Sequence, residues 1–582
     1  MDGRKDFYFD FKFFKALLRL TPKFFTKKDI WVPIMFILTT GISVGSEFLT
    51  YRTGKIPGKM YGFLMEKKSP EFWEIFWQGT LMYLANTFVI TLISTSSWFL
   101  YLALRRNITN AIHQVYFKGT TAYKIINNSY GSVDNPDQRI TQDIEKMCNM
   151  LATKILPSVL ICPFVVAWYT RETLQTSGIY GVLTIYAYFL IGTLINKILI
   201  SPLSKWSARI ERCEGNYRYK HVTIRDNIEQ ISMYQGQEFE KVEATSSFDF
   251  LIKNQFFLMI WRTPAMFFQT FFDYYGGMLS YALNFAPVFI FGTYDKMDAG
   301  DFATALSNNS FVYIYLINSF TRLTDTAFSA GEMAGVLQRV GQLFDICERM
   351  EGSDYAKHGK SEEDMINLEN ITISTPNTHS IIKRLSLIVK SGERLIIQGC
   401  SGVGKSSLIR VISGVWKQDS GTISSTLSKS QISILPQKPY FPVGGLTLYQ
   451  QLTFPKLSSN DYLMEDQLEK NITSLMFKLD LGNLVDLMGG LHSYPRFEFS
   501  DVLTPGEMQR LSFIRAILSS PKLLILDEAT NSVSPEMEEL MYNMLIEKNI
   551  EFISIGHAVS LSKFHSKQLT LFGNGEYKVK EL

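Results

Sequence analysis

Six stretches within the first 330 residues run long and almost free of Asp, Glu, Lys and Arg: 30–46, 75–104, 155–170, 174–196, 263–294 and 302–321. Asp273 is the one interruption, in the fifth. A bilayer core takes about 20 apolar residues per helix, and in lipid every backbone N–H and C=O must be bonded within its own segment. Each stretch taken singly also fits a buried helix of a large soluble protein. Six in succession, with none after them, predict an α-helical membrane domain of six spans with both ends on one side. The second stretch would be roughly 45 Å long as a helix, so it is expected to continue into water.

Arg4, Lys5, Lys12, Lys15, Arg19, Lys23, Lys27 and Lys28 precede the first span and place the N-terminus in the cytosol. Phe13, Phe14, Leu17, Leu18 and Leu20 predict an amphipathic helix on the membrane surface. The connections at about 106–154 and 201–260 are long and charged, and face the cytosol in this topology. Composition agrees: 46% hydrophobic with 19% charged residues lies between a soluble enzyme and a pure membrane protein. A formal charge of +3 argues against nucleic acid as a partner. The cysteines, Cys148, Cys162, Cys213, Cys347 and Cys400, show neither a CxxC pair nor a disulfide framework, so a reduced compartment and no cysteine metal site are expected. No cleavable signal peptide is expected.

From about residue 366 the pattern changes to short β-branched strands, Gly and Ser turns, and helices, the mark of an α/β domain. Gly399-Cys400-Ser401-Gly402-Val403-Gly404-Lys405-Ser406 matches the phosphate loop GxxxxGK[ST]. The strand Leu395-Ile396-Ile397 leads in and Ser407-Leu408-Ile409-Arg410 opens a helix leading out. Glycines let backbone N–H groups turn towards phosphate oxygens, and the helix N-terminus adds its positive end. Lys405 would reach the outer phosphates of ATP, and the Ser406 hydroxyl would ligate Mg2+. Leu523-Leu524-Ile525-Leu526-Asp527-Glu528 is an apolar strand delivering two acids at its tip. Asp527 suits the metal's water shell and Glu528 the attacking water. In isolation the same acids also fit caps of the next helix.

Between these elements stands Leu503-Thr504-Pro505-Gly506-Glu507-Met508-Gln509-Arg510, which resembles the LSGGQ-x-QR signature of the ABC ATPases. The resemblance implies that Thr504, Gly506 and Glu507 contact nucleotide held by a partner subunit. It implies that Gln437 links metal site to membrane domain, and that His557 senses the γ-phosphate. Three departures stand out: Pro505 for Gly, Ser534 for an Asp, and Thr372-Ile373-Ser374-Thr375-Pro376 where an adenine-stacking aromatic is usual. One such domain cannot complete a site alone, so a dimer is implied, a homodimer by default or a heterodimer with a related chain.

Six spans joined to one ATPase domain resemble the exporter-type half-transporters. Three stretches resemble subfamily D: Asp134-Asn135-Pro136-Asp137-Gln138-Arg139 followed by Asp143, the Glu214-Gly215-Asn216 and Asn227-Ile228-Glu229-Gln230-Ile231 segments, and the LxPGEMQR form of the signature. Ile56-Pro57-Gly58-Lys59-Met60-Tyr61-Gly62 and Phe272-Asp273-Tyr274-Tyr275-Gly276-Gly277 are similar to the lysosomal cobalamin-transporting branch of that subfamily. This implies ATP-driven movement of cobalamin from lysosomal lumen to cytosol, a multi-pass lysosomal membrane protein with its ATPase domain cytosolic, and a membrane protein as escort. Peroxisomal import of acyl-CoA or long-chain fatty acid stays open (with a peroxisomal or endoplasmic reticulum membrane), as does a regulator with a degenerate ATPase.

The expected organisation is an amphipathic segment (1–29), a six-span domain (30–335), a linker (336–365) and an α/β P-loop ABC ATPase domain (366–582). The expected site comprises Glu528 and His557 as catalytic groups, with Gly399 to Ser407, Gln437, Thr504, Gly506 and Glu507 on nucleotide. Ser406, Gln437 and Asp527 are expected on the metal. Asp273 either lines the translocation path or pairs with a neighbouring helix, and Cys400 is a spectator or an oxidation point.

Overall fold

The computed structural model describes residues 11–26, 29–127, 133–351, 364–374, 380–455, 462–495, 497–556, 559–573 and 575–582. Arg4, Lys5, Lys27, Lys28, Thr375, Pro376 and His557 lie outside these. The chain forms two compact units, Met1–Gly352 and Ser353–Leu582.

The first unit is helical. Its main helices are Phe11–Phe24, Trp31–Gly54, Ile56–Met65, Ser69–Tyr116, Leu156–Asp226, Gln237–Ala282 and Ala299–Glu351. Among the described residues, three helical runs are long and apolar enough to cross a membrane by length and composition: Trp31–Met65, Ser69–Tyr116 and Pro136–Leu199. The second apolar stretch lies within a single 48-residue helix, long enough to leave the bilayer at either end. The third and fourth stretches share the Leu156–Asp226 run, broken at Gly178 (φ +67°, ψ −165°). The hydroxyls of Thr170 and Tyr186 are 3.0 Å apart. Sixteen residues of straight helix would separate them by about 24 Å, so the chain folds back at Gly178 as a helical hairpin. Only glycine takes that backbone conformation without strain. The fifth stretch divides between the Gln237–Ala282 helix and a turn of π-helix, Ala286–Ile290. The sixth is the first part of Ala299–Glu351. Large apolar side chains such as Leu81, Phe88, Phe164 and Phe289 stand outward, a surface that water would not tolerate and lipid does.

Polar contacts tie these helices together. Glu47 accepts from Tyr315 at 2.6 Å and from Arg322 at 3.0 Å. Gly58 and Gly62 in the Ile56–Met65 helix approach the Ala299–Glu351 helix so closely that a Cβ on either would strike Asn308 or Thr304. The glycine pair is thus a small-xxx-small helix contact. Asp273 faces Thr321 on the neighbouring helix, and Asp325 accepts from Gln269 at 2.6 Å.

Two expectations need correction. The N-terminal helix Phe11–Phe24 does not spend its apolar face on lipid. Phe13, Leu20 and Phe24 are buried in the protein core with Val340, Leu343 and Phe344, while Leu18 remains 73% exposed. Arg19 and Lys23 meet Glu348 at 2.8 and 3.2 Å, which draws the helix onto protein. The linker expected at 336–365 begins too early. The Ala299–Glu351 helix runs through its first half because Val336, Leu337, Val340, Leu343, Phe344 and Cys347 recur at helical spacing on a buried face.

The second unit has nine strands: β1 (Asp364–Ser374), β2 (Ser380–Lys390), β3 (Leu395–Gly399), β4 (Ser420–Ser424), β5 (Ile432–Leu435), β6 (Leu523–Asp527), β7 (Glu551–Ile555), β8 (Lys567–Leu571) and β9 (Tyr577–Glu581). β2, β1 and β4 form an antiparallel sheet. The other six follow the order β5-β6-β7-β3-β8-β9, parallel except for β9. Both faces of this sheet are covered, which is why β6 reads as an unbroken apolar run. Leu524 and Leu526 enter one core with Phe552 and Ile396. Leu523 and Ile525 enter the other with Ile397 and Ile553. Parallel pairing brings the carboxyl ends of β3, β6 and β7 to one edge, where ligands of such sheets bind.

Candidate nucleotide site

The loop after β3 turns through Gly399 (φ +149°), Gly402 (φ +83°) and Gly404 (φ +102°) before the helix Lys405–Ile412. A Cβ on Gly404 would run into the side chain of Ile381, whereas one on Gly402 would meet open space. Gly404→Ala therefore combines backbone strain with a collision, and Gly402→Ala carries strain alone. Strain of this kind is about 1–2 kcal/mol, so nucleotide affinity is expected to fall by about tenfold in Gly402→Ala and further in Gly404→Ala, measured by equilibrium nucleotide binding. Equal affinities in the two variants would contradict this account of the loop.

Lys405 is buried, and its ammonium donates to the carbonyls of Gly399 at 2.8 Å and Cys400 at 3.1 Å. It is thus folded within the curve of the loop, where outer phosphates would replace carbonyls as its acceptors. Ser401 and Gly402 are exposed, Val403 is buried, and Ser407 continues the helix. Cys400 is an exposed free thiol.

Ser406 Oγ donates to Asp527 Oδ1 at 3.0 Å, joining the loop to the tip of β6. Burial raises the Asp527 carboxyl above its ordinary range, against the Ser406 hydrogen bond that lowers it. The next residue, Glu528, has φ +50°, a left-handed backbone rare outside glycine. Gln437 Nε2 donates to Glu528 Oε2 at 2.8 Å, and Asn531 Nδ2 donates to the same oxygen at 3.0 Å. Eight expected contributors thus meet at one sheet edge: Gly399, Gly402, Gly404, Lys405, Ser406, Gln437, Asp527 and Glu528.

Thr504, Gly506 and Glu507 form a second group, at the start of the helix Pro505–Leu518. Thr504 caps that helix and Pro505 takes its first position, where a missing N–H and a fixed φ suit a helix start. A Cβ on Gly506 would lie 2.8 Å from the Ser532 carbonyl oxygen, so only glycine fits there. Ser534, which stands where the family has Asp, caps the helix Pro535–Glu547 by accepting from the Met537 N–H.

Three participants escaped the sequence reading. Asn531 holds Glu528, and its signal was its place three residues beyond that acid. Gln509 Oε1 accepts from Ser532 N–H at 2.9 Å and ties the signature helix to the loop after β6. Arg515 donates to the carbonyls of Tyr440 and Gln451, both at 2.5 Å, and lies over the Phe441 ring, steadying the segment that follows Gln437. No short motif carries Arg515, whose partners lie 64 and 75 residues away.

Comparison with known proteins joins both units to one family. The ABC transporter transmembrane region 2 family matches residues 20–289, and the ABC transporter family matches residues 382–531. The lysosomal cobalamin transporter ABCD4 of Homo sapiens is 32% identical, over 98% of this chain and 96% of that protein. An ABC transporter ATP-binding protein of Synechocystis, itself uncharacterized, is 31% identical over 88% of this chain and 76% of its own length. ATP-binding cassette sub-family D member 3 of Homo sapiens is 26% identical over 83% of this chain and 76% of that protein. A bacterial Atm1-family ABC exporter with ATP bound shares the fold, with a TM-score of 0.73 and 14% identity across 94% of this chain and 95% of that one. With an ATP-binding cassette and a membrane domain in one polypeptide, the chain belongs to subfamily D of the ABC transporters, as a half-transporter that couples ATP hydrolysis to membrane transport.

Proposed function

We propose that a dimer of this chain exports cobalamin from the lysosomal lumen to the cytosol, driven by ATP hydrolysis at two composite sites. The observation that carries the substrate is similarity along nearly the full length to a lysosomal cobalamin transporter. In each site Lys405 and Ser406 of one subunit would face Thr504, Gly506 and the Glu507 N–H of the other across one nucleotide. Glu528 would take the proton of the attacking water. Gln437, bonded to Glu528, would report the state of the site towards the membrane domain. His557 would contact the γ-phosphate. The cytosolic placement of the ATPase domain, and an escort in the membrane, belong to the same reading.

Hard oxygen donors at 3.0 Å from each other, Ser406 Oγ and Asp527 Oδ1, fit magnesium. When bound, magnesium would neutralise charge on the phosphate oxygens, held by Ser406, Asp527 and Gln437.

The test is ATPase activity of the purified chain in liposomes, with its ATPase domain outward and cobalamin inside. The expected result is several-fold stimulation by cobalamin together with its ATP-dependent exit. Stimulation by acyl-CoA with no cobalamin movement would overturn the substrate and retain the transporter.

A further inference from the structure

We infer that the Glu507 carboxylate acts as a built-in stand-in for the γ-phosphate, occupying the signature helix and gating closure of the ATP-bound dimer. This rests on the composite-site reading above, in which Thr504 and Gly506 receive the partner's nucleotide. The Thr504 N–H donates to Glu507 Oε2 at 2.8 Å, and the Thr504 hydroxyl donates to the same oxygen at 2.7 Å. In return the Glu507 N–H donates to Thr504 Oγ1 at 3.3 Å. The capping box is therefore closed, with a carboxylate on the donors that an anion at this helix end would use.

Pro505 sharpens the competition. It brings no N–H to the first turn, and the Glu507 N–H is engaged by Thr504. Gly506 is left as the one of the first three positions with an amide outside the box. For the γ-phosphate to take the Thr504 hydroxyl, the Glu507 carboxylate must turn away, because two anions at one helix end repel. Closure then requires ATP to displace an internal rival, and the rival sets the ATP concentration at which the two cassettes close. Glutamine at the same position keeps the box, since its amide oxygen can still accept from the Thr504 N–H and hydroxyl, but it removes the charge, which weakens those bonds and the repulsion of an incoming phosphate.

The experiment uses the full-length dimer in liposomes. It measures the KM for ATP, kcat, and ATP-dependent closure by a distance probe across the two ATPase domains, in wild type, Glu507→Gln, Glu507→Ala and Thr504→Ala. Glu507→Gln is expected to close at three- to tenfold lower ATP and to lower KM by a similar factor. Thr504→Ala is expected to need more ATP. A raised KM in both Glu507 variants would make the carboxylate a direct nucleotide contact and overturn the gate. A Thr504→Ala variant that closes as wild type does would remove the composite-site reading itself, and the gate with it. Circular dichroism and thermal melting of each variant separate a lost cap from a changed gate.

Discussion

Glu528→Gln should lower steady ATP hydrolysis by about a hundredfold to ten-thousandfold, the range a positioned general base contributes, while leaving ATP binding intact. That corresponds to about 3–5 kcal/mol at the transition state. The reason lies in how the side chain is held. Glu528 directly follows β6, its backbone in the left-handed region at φ +50°, and two amide donors, Gln437 and Asn531, converge on its Oε2. Those donors fix the position and orientation of the carboxylate that takes the water's proton. Glutamine is nearly the same size and cannot accept that proton. Lys405 and Ser406 are untouched, so nucleotide still binds and the closed dimer accumulates. The measurement is phosphate release alongside retention of labelled ATP. Normal turnover would remove Glu528 as the base, and loss of ATP binding would make its role structural.

What could be read in advance follows the distance along the chain over which each feature is written. The phosphate loop is eight consecutive residues whose glycines and lysine answer one chemical need, so it stands out in the sequence and folds as a unit. The paired acids at the end of β6 were legible for the same reason, through an apolar run ending in charge. The hairpin turn at Gly178 was not, because the apolar stretches on either side give no sign that one glycine rather than a polar loop reverses the chain. The bonds from Gln437 to Glu528 and from Arg515 to Tyr440 join residues 91 and 75 positions apart, and no local pattern encodes such pairs. The helix through 336–351 was missed from a different cause. Its polar residues signal a change of composition, while the burial of Val336, Val340 and Phe344 depends on helices from elsewhere in the unit. The N-terminal helix was amphipathic as expected, but periodicity does not say whether lipid or protein covers the apolar face.

Arg339→Met should be among the most damaging single substitutions in the helical unit, costing about 3–5 kcal/mol. Arg339 and Asp143 are each 1% exposed and their charges meet at 3.0 Å. Yet the hydrogen bonds between them are poorly aligned: among the described residues the three Arg339 nitrogens and both Asp143 oxygens find no hydrogen-bond partner. Beside them Arg139 donates to the Arg339 carbonyl at 2.8 Å and to Gln342 at 3.0 Å, and pairs with Asp134, which Arg212 also meets at 3.1 Å. Gln138 donates to the Glu211 carbonyl at 2.9 Å. The Asp134-to-Asp143 motif is thereby a buried polar knot joining three separate parts of the helical unit. Removing Arg339 alone strands the Asp143 charge in an environment that cannot hydrate it. Removing both charges, in Asp143→Leu with Arg339→Met, takes away the stranded charge and an ill-aligned pair together. Replacing a buried ion pair by apolar residues of similar volume is often neutral or stabilising, so the double variant should recover most of the loss. Arg19→Ala, which breaks a half-exposed pair with Glu348, should cost under about 1 kcal/mol. Thermal unfolding of the three variants in detergent ranks them directly. A double variant as unstable as the single one would mean that the Arg339 side chain supports the fold through packing rather than through its charge, and the burial argument for this motif would then fail.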